Sequence, residues 1–206
     1  MNIAVLVSGG GTNLQALIDA EAAGKLGSGK IVCVISSKPG VYALERAAKA
    51  GIPGEVLPSR NSGEDISEAL LRLLEKYDAG LVILAGFLSI LDEKVVKLYE
   101  NRIINVHPAL IPSFCGKGYY GLKVHEAALD YGVKVTGATV HFVNEIPDGG
   151  AIILQKAVEV KAGDTPETLQ RRVMEEAEWE LLPKAAALFC DGRLKVENNR
   201  TVISED

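Results

Sequence analysis

Several features that would fix a protein's class at once are missing from this chain. No apolar run reaches the roughly 20 residues that a membrane-spanning helix needs. Met1-Asn2-Ile3 opens directly into a strand-like segment instead of a charged signal region, so neither a membrane anchor nor an export signal is expected. Lys and Arg number 22 against 27 Asp and Glu, form no cluster, and leave a net charge of −5, which argues against a nucleic-acid surface. Cysteine is scarce: Cys33, Cys115 and Cys190 are too far apart for a metal knuckle, and their odd number argues against a disulfide framework. A reducing, cytoplasmic setting is expected. Cys33 lies within Ile31-Val32-Cys33-Val34-Ile35 and reads as a small core residue. Repeats, low-complexity tracts and linkers are also absent, so residues 1–206 are expected to form one domain with a sizeable core.

What is present is alternation. Strand-like runs at 2–7, 30–36, 54–57, 80–85 and 102–106 are separated by helical patterns at 12–23, 41–50, 64–77 and 92–99. Repeated β-α units argue for an α/β fold, Rossmann-like and three-layered, with a mostly parallel sheet covered by helices on both faces. Continuous apolar runs such as Leu81-Val82-Ile83-Leu84-Ala85 suit strands buried on both sides. The second half departs from this rhythm. A helix near 124–131 precedes two β-rich runs, 133–143 and 151–160, whose connection at 144–150 predicts an antiparallel pair. A long helix is expected from about 166 to 189, with Pro183 marking a kink or break, and 194–203 reads as a terminal hairpin.

Four stretches carry chemistry. Asn105-Val106-His107-Pro108 ends the fifth strand, because proline cannot continue a ladder. Two-residue spacing points the amide and the imidazole to one side, at the strand end where open α/β sheets bind ligands. A polar strand end that merely caps a loop is the competing reading. Ser8-Gly9-Gly10-Gly11-Thr12-Asn13 follows the first strand and opens the first helix, where free N–H groups attract an anion. Leu14 occupies the place of the third glycine of a dinucleotide fingerprint, and no Gly-Lys-Ser/Thr follows, so one phosphate fits better than NAD or ATP. A tight turn with Thr12 or Asn13 as helix cap remains open. Asp148-Gly149-Gly150 is an ordinary turn unless it folds over the sheet edge, where Asp148 would reach His107 and hold it protonated. Ala85 to Leu91 is an apolar exit from the fourth strand that suits either the core or a flat ring. Gly116-Lys117-Gly118 reads as a flexible loop with a solvated lysine; His125, at a helix start, and His141, mid-strand, read as structural.

Together these residues resemble the glycinamide ribonucleotide formyltransferases (phosphoribosylglycinamide formyltransferases) of the folate-dependent formyltransferase superfamily. The matching motifs run the length of the chain: SGGGTNLQALI at 8–18, LAGFLSIL at 84–91, INVHPALIP at 104–112, GATVHFV at 137–143 and DGGAIILQ at 148–155. The related methionyl-tRNA formyltransferases and formyltetrahydrofolate hydrolases carry a further C-terminal or N-terminal domain, which is not expected here.

The resemblance implies transfer of the formyl group of 10-formyltetrahydrofolate to the amine of glycinamide ribonucleotide in purine biosynthesis. It implies no metal, no nucleic acid, no membrane, and a monomer or homodimer. Asn105, His107 and Asp148 match the catalytic triad. Gly11, Thr12 and Asn13 match the phosphate loop, with Pro108 and Glu178 on the nucleotide side. Leu88, Ser89, Ile90, Leu91 and Val143 match the folate wall. Three departures stand out: Ser89 replaces a frequent Arg, the loop 115–123 is longer than usual, and the helix carries one extra residue ahead of Glu178. Asn105 and a protonated His107 would stabilise the oxyanion, with Asp148 shuttling a proton. The competing classes are a nicotinamide oxidoreductase, weakened by the missing third glycine and by a second strand that ends in Ser36-Ser37-Lys38 instead of an acid, and a binding module that has lost its chemistry.

Overall fold

The structure is a computed structural model that describes residues 1–59 and 61–205; Arg60 and Asp206, the last position of the expected domain, lie outside them. Five strands, β1 (Asn2–Val7), β2 (Lys30–Ser36), β3 (Gly54–Val56), β4 (Leu81–Leu84) and β5 (Ile103–His107), are mutually parallel. Four helices alternate with them: α1 (Thr12–Ala22), α2 (Tyr42–Lys49), α3 (Ile66–Lys76) and α4 (Glu93–Leu98). After α5 (Leu122–Tyr131), strands β6 (Val135–Phe142) and β7 (Ile152–Glu159) add antiparallel to give the order β3-β2-β1-β4-β5-β6-β7. A separate hairpin, β8 (Leu194–Glu197) with β9 (Arg200–Ile203), turns through Asn198 and Asn199, both in the left-handed region that such a tight turn needs.

Period-two alternation divides the core. Ile3, Val5 and Val7 of β1 face one hydrophobic layer with Leu14 and Leu17 of α1, while Ala4 and Leu6 face another with Leu70 and Leu74 of α3. In β5, Ile104 and Val106 belong to the first layer and Ile103 to the second. Asn105 and His107 therefore share the parity of Ile103. The chain leaves β1 toward β2 on one side and reaches β4 on the other, so the loops after β1 and β4 border a topological switch point. Ser8 ties the two loops together, its Oγ accepting the Leu88 N–H at 3.0 Å.

The long C-terminal helix differs from expectation. It runs without a break through α6 (Pro166–Val173), a π-helical turn (Met174–Glu178) and α7 (Trp179–Cys190), which contains Pro183. Proline breaks an α-helix by clashing with the carbonyl four residues earlier. Here that carbonyl belongs to Trp179, where the widened π turn ends.

Candidate active site

Strand β5 delivers Asn105 and His107 to one face, and β6 runs beside it with His141 opposite Asn105 and Thr139 opposite His107. Thr139 fixes the exit of β5. Its hydroxyl donates to the Ala109 carbonyl at 2.7 Å and accepts the Ile111 N–H at 3.1 Å. Pro108, half-buried, begins this exit.

Asp148 arrives from the connection between β6 and β7. Its φ of 56° is left-handed, which bends the turn sharply. Gly150 then lies so close to β6 that a Cβ there would sit 1.8 Å from the Phe142 carbonyl oxygen. The Asp-Gly-Gly sequence thus folds the turn back over the sheet. Asp148 Oδ2 comes 3.6 Å from His107 Nδ1, and Oδ1 comes 3.5 Å from His141 Nε2. The expected approach of Asp148 to His107 is present.

The protonation is not as expected. His107 is 4% exposed, and that burial pushes its pKa below 6.5 despite the raising influence of Asp148 and of the Phe114 carbonyl. Burial thus opposes the protonated ring that Asp148 favours, and outweighs it. Its Nε2–H donates to the Phe114 carbonyl at 2.8 Å, which leaves the Nδ1 lone pair facing the carboxylate. One proton placed there would join the two groups. Burial alone would raise the Asp148 carboxyl, but the neighbouring His141 and His107 imidazoles and the hydrogen bond from the Gly116 N–H hold it below its ordinary value.

His141 is the residue that sequence reasoning missed. Its Nδ1–H donates to the Phe142 carbonyl at 2.7 Å, and its Nε2 accepts from the Asn105 amide at 3.2 Å. Asn105 thereby keeps a second amide N–H for a ligand. Only the cross-strand register, Asn105 against His141, reveals the pairing. The 114–118 loop is also more than solvated lysine. The Phe114 carbonyl accepts from His107, and the Gly116 N–H donates to Asp148 at 2.8 Å. The 114–118 loop therefore lies against His107 and Asp148 in this structure. His125, one turn inside α5, is fully buried with both ring nitrogens unpartnered, and burial pushes its pKa down to about 4.

At the switch point, α1 begins at Thr12 with Gly11 as its left-handed cap and no capping side chain. Neither Thr12 nor Asn13 caps the helix, contrary to one of the two sequence readings. Asn13 instead donates from Nδ2 to Glu178 Oε2 at 2.6 Å across 165 residues of chain, and its own Oδ1, buried, has no partner. Burial pushes the Glu178 carboxyl up to about 7 against the lowering effect of that hydrogen bond.

Two cavities stand out, and neither is lined by Asn105, His107 or Asp148. One of about 740 Å³ runs between α1 and α7 from Thr12, Gln15 and Arg46 to Trp179 and Pro183. The other, about 470 Å³, gathers Ser89, Ile90 and Leu91 with Phe87 against Leu57 and Leu70. Leu88 and Val143 do not line it; Leu88 is exposed and Val143 packs on the second core layer. Among the described residues no group of His, Cys, Asp and Glu is arranged for a metal ion, and no helix is long and apolar enough to cross a membrane.

Comparison with known proteins places this geometry. The formyl transferase family model matches residues 1–186. The phosphoribosylglycinamide formyltransferase of Escherichia coli is 40% identical over 201 residues, covering 97% of this chain and 92% of that protein. The trifunctional purine biosynthetic protein adenosine-3 of Gallus gallus is 45% identical over 198 residues; the chain spans only 19% of its length. Among solved structures, glycinamide ribonucleotide transformylase 1 from Symbiobacterium toebii superposes with a TM-score of 0.90 at 41% identity, covering 100% of this chain and 94% of that one.

Proposed function

The chain belongs to the formyl transferase family, within its phosphoribosylglycinamide formyltransferases, and we propose that it transfers the formyl group of 10-formyltetrahydrofolate to the amine of glycinamide ribonucleotide. Both substrates are small molecules, and the reaction serves purine biosynthesis, in keeping with the names of its relatives. Residues 1–100 supply the phosphate half and 101–206 the catalytic and folate half of one domain. The protein acts in the cytoplasm as a monomer or homodimer.

The observation that carries this reading is the convergence of Asn105 and His107 from β5 with Asp148 from the β6–β7 turn. The substrate amine attacks the formyl carbon, a C–N bond forms, and the carbonyl oxygen becomes an oxyanion. The free Asn105 amide N–H is a donor to that oxyanion, held in place by His141. Neutral His107 accepts the proton that the attacking nitrogen must lose, and Asp148 stabilises the resulting imidazolium. The positive charge on the ring then adds electrostatic stabilisation of the oxyanion. Collapse of the intermediate breaks the bond to the folate nitrogen, which takes the proton as it leaves. The Gly11–Asn13 start of α1 receives the phosphate, Glu178 and the orphan acceptor of Asn13 lie beside the ribose, and Ser89, Ile90 and Leu91 lie against the folate.

An initial-rate assay with both substrates tests the proposal. Formation of tetrahydrofolate that depends on glycinamide ribonucleotide is expected. Equal formation without the nucleotide would make the protein a hydrolase, and none under either condition would leave a binding module.

A further inference from the structure

Arg46, in the last turn of α2, has no part in the chemistry above, yet it is bonded directly to the loop after β1. Its Nε–H donates to the Gly10 carbonyl at 2.9 Å and its Nη1–H to Gln15 Oε1 at 2.9 Å. The guanidinium lies 4.8 Å from the ring centre of Tyr42. A second bond ties α2 to the same loop, from the Ala43 N–H to the Gly9 carbonyl at 3.1 Å. Gly11 closes the contact: a Cβ there would stand 2.7 Å from Ala43 Cβ and 3.5 Å from Arg46 Cδ.

The consequence follows from the planarity of the trans peptide. In each peptide unit the C=O of one residue and the N–H of the next point in opposite directions. With the Gly9 and Gly10 carbonyls drawn toward α2, the N–H groups of Gly10 and Gly11 are turned away from it. Gly11 in the left-handed region followed by helical Thr12 continues this into a concave row of N–H groups that favours an anion. A Cβ added at Gly9 or Gly10 would meet no atom within 4 Å, and the bonds that hold these two carbonyls come from the Ala43 N–H and the Arg46 side chain. If they turned over, two carbonyl oxygens would meet the phosphate instead. Arg46 forms no ion pair among the described residues, so its charge is not cancelled there. Asn13, 8% exposed with Oδ1 unpartnered, is an independent sign that a ligand completes this corner.

We propose that Arg46 is the positioning residue for the substrate phosphate, and that by holding the Gly10 carbonyl it makes the site select a phosphorylated amine over its dephosphorylated nucleoside. This rests on the proposed phosphate-loop reading and adds the residue that enforces it. A charge-assisted hydrogen bond supports roughly 10- to 100-fold in binding.

The test compares Arg46→Met and Arg46→Lys with the parent protein. KM for glycinamide ribonucleotide should rise about 10- to 100-fold in Arg46→Met, with the loss in KM and not in kcat. KM for glycinamide riboside, which lacks the phosphate, and for the folate should stay as in the parent. Arg46→Lys, which restores the charge without the planar fork, should recover part of the loss. Calorimetry with ribose 5-phosphate against ribose gives the same comparison without turnover, so failure of the proposed reaction and failure of the Arg46 assignment are separable. Equal losses for nucleotide and nucleoside would reduce Arg46 to a structural brace and overturn the proposal, as would an unchanged nucleotide KM. If Arg46→Met does not fold, the phosphate-to-nucleoside ratio in Arg46→Lys decides the matter alone.

Discussion

At the scale of the residue, the proposed reaction turns on a histidine that begins neutral. Burial lowers the His107 pKa and Asp148 only partly opposes it. Turnover should therefore decline on the acid side as pH falls through a value below 6.5, where the ring gains the proton it must accept from the substrate. Asp148→Asn removes an influence that raises this pKa, so the acid limb should move to still lower pH while kcat falls. A pH–rate profile with NMR titration of the imidazole checks both; an acid limb above 6.5 in the parent would contradict the neutral-ring account. His107→Ala should cost kcat about 10²–10³ with little change in substrate affinity. Near-parental turnover in a folded variant would remove His107 from the chemistry.

At the scale of the element, position depends on turns more than on the groups themselves. Gly150→Ala would put a methyl group 1.8 Å from the Phe142 carbonyl oxygen, so the β6–β7 turn must lift and carry Asp148 with it. Circular dichroism should stay close to the parent while activity falls at least as far as in Asp148→Asn; full activity would mean that this turn does not place the carboxylate. The Asn105 and His107 pairing is legible in the sequence because strand period and a following proline are local rules. The Asp148 approach is legible only as a condition, since it needs the turn to fold back. His141 is not legible, because strand register is set by partners 36 residues apart. The protonation of His107 escapes the sequence for a related reason. A neighbouring carboxylate can be guessed from motifs, but 4% exposure is a product of the whole fold.

At the scale of the molecule, the two halves meet at Asn13 and Glu178, joined across 165 residues. The folded Glu178 pKa of about 7 lies above its ordinary 4.5. Stability from the protonated carboxyl is therefore complete below about 4.5 and is lost as pH rises through about 7. Glu178→Gln should remove that slope, so the difference in unfolding free energy between variant and parent should grow in the variant's favour over this window. A constant difference would mean that Glu178 is ionised in both states.

The alternating β-α units make the layered parallel sheet legible, because each strand and helix declares itself within about ten residues. The π turn is not legible, since its geometry depends on how α6 and α7 both seat on the sheet. The central claim is that the formyl group passes directly to a nucleotide amine at the point where Asn105, His107 and Asp148 converge. Single-turnover reaction of 10-formyltetrahydrofolate labelled at the formyl carbon, with glycinamide ribonucleotide present, tests it most directly. Recovery of the label in the amide of the nucleotide, with formate near background, is the predicted result; label released as free formate, or held covalently on the protein, would contradict it.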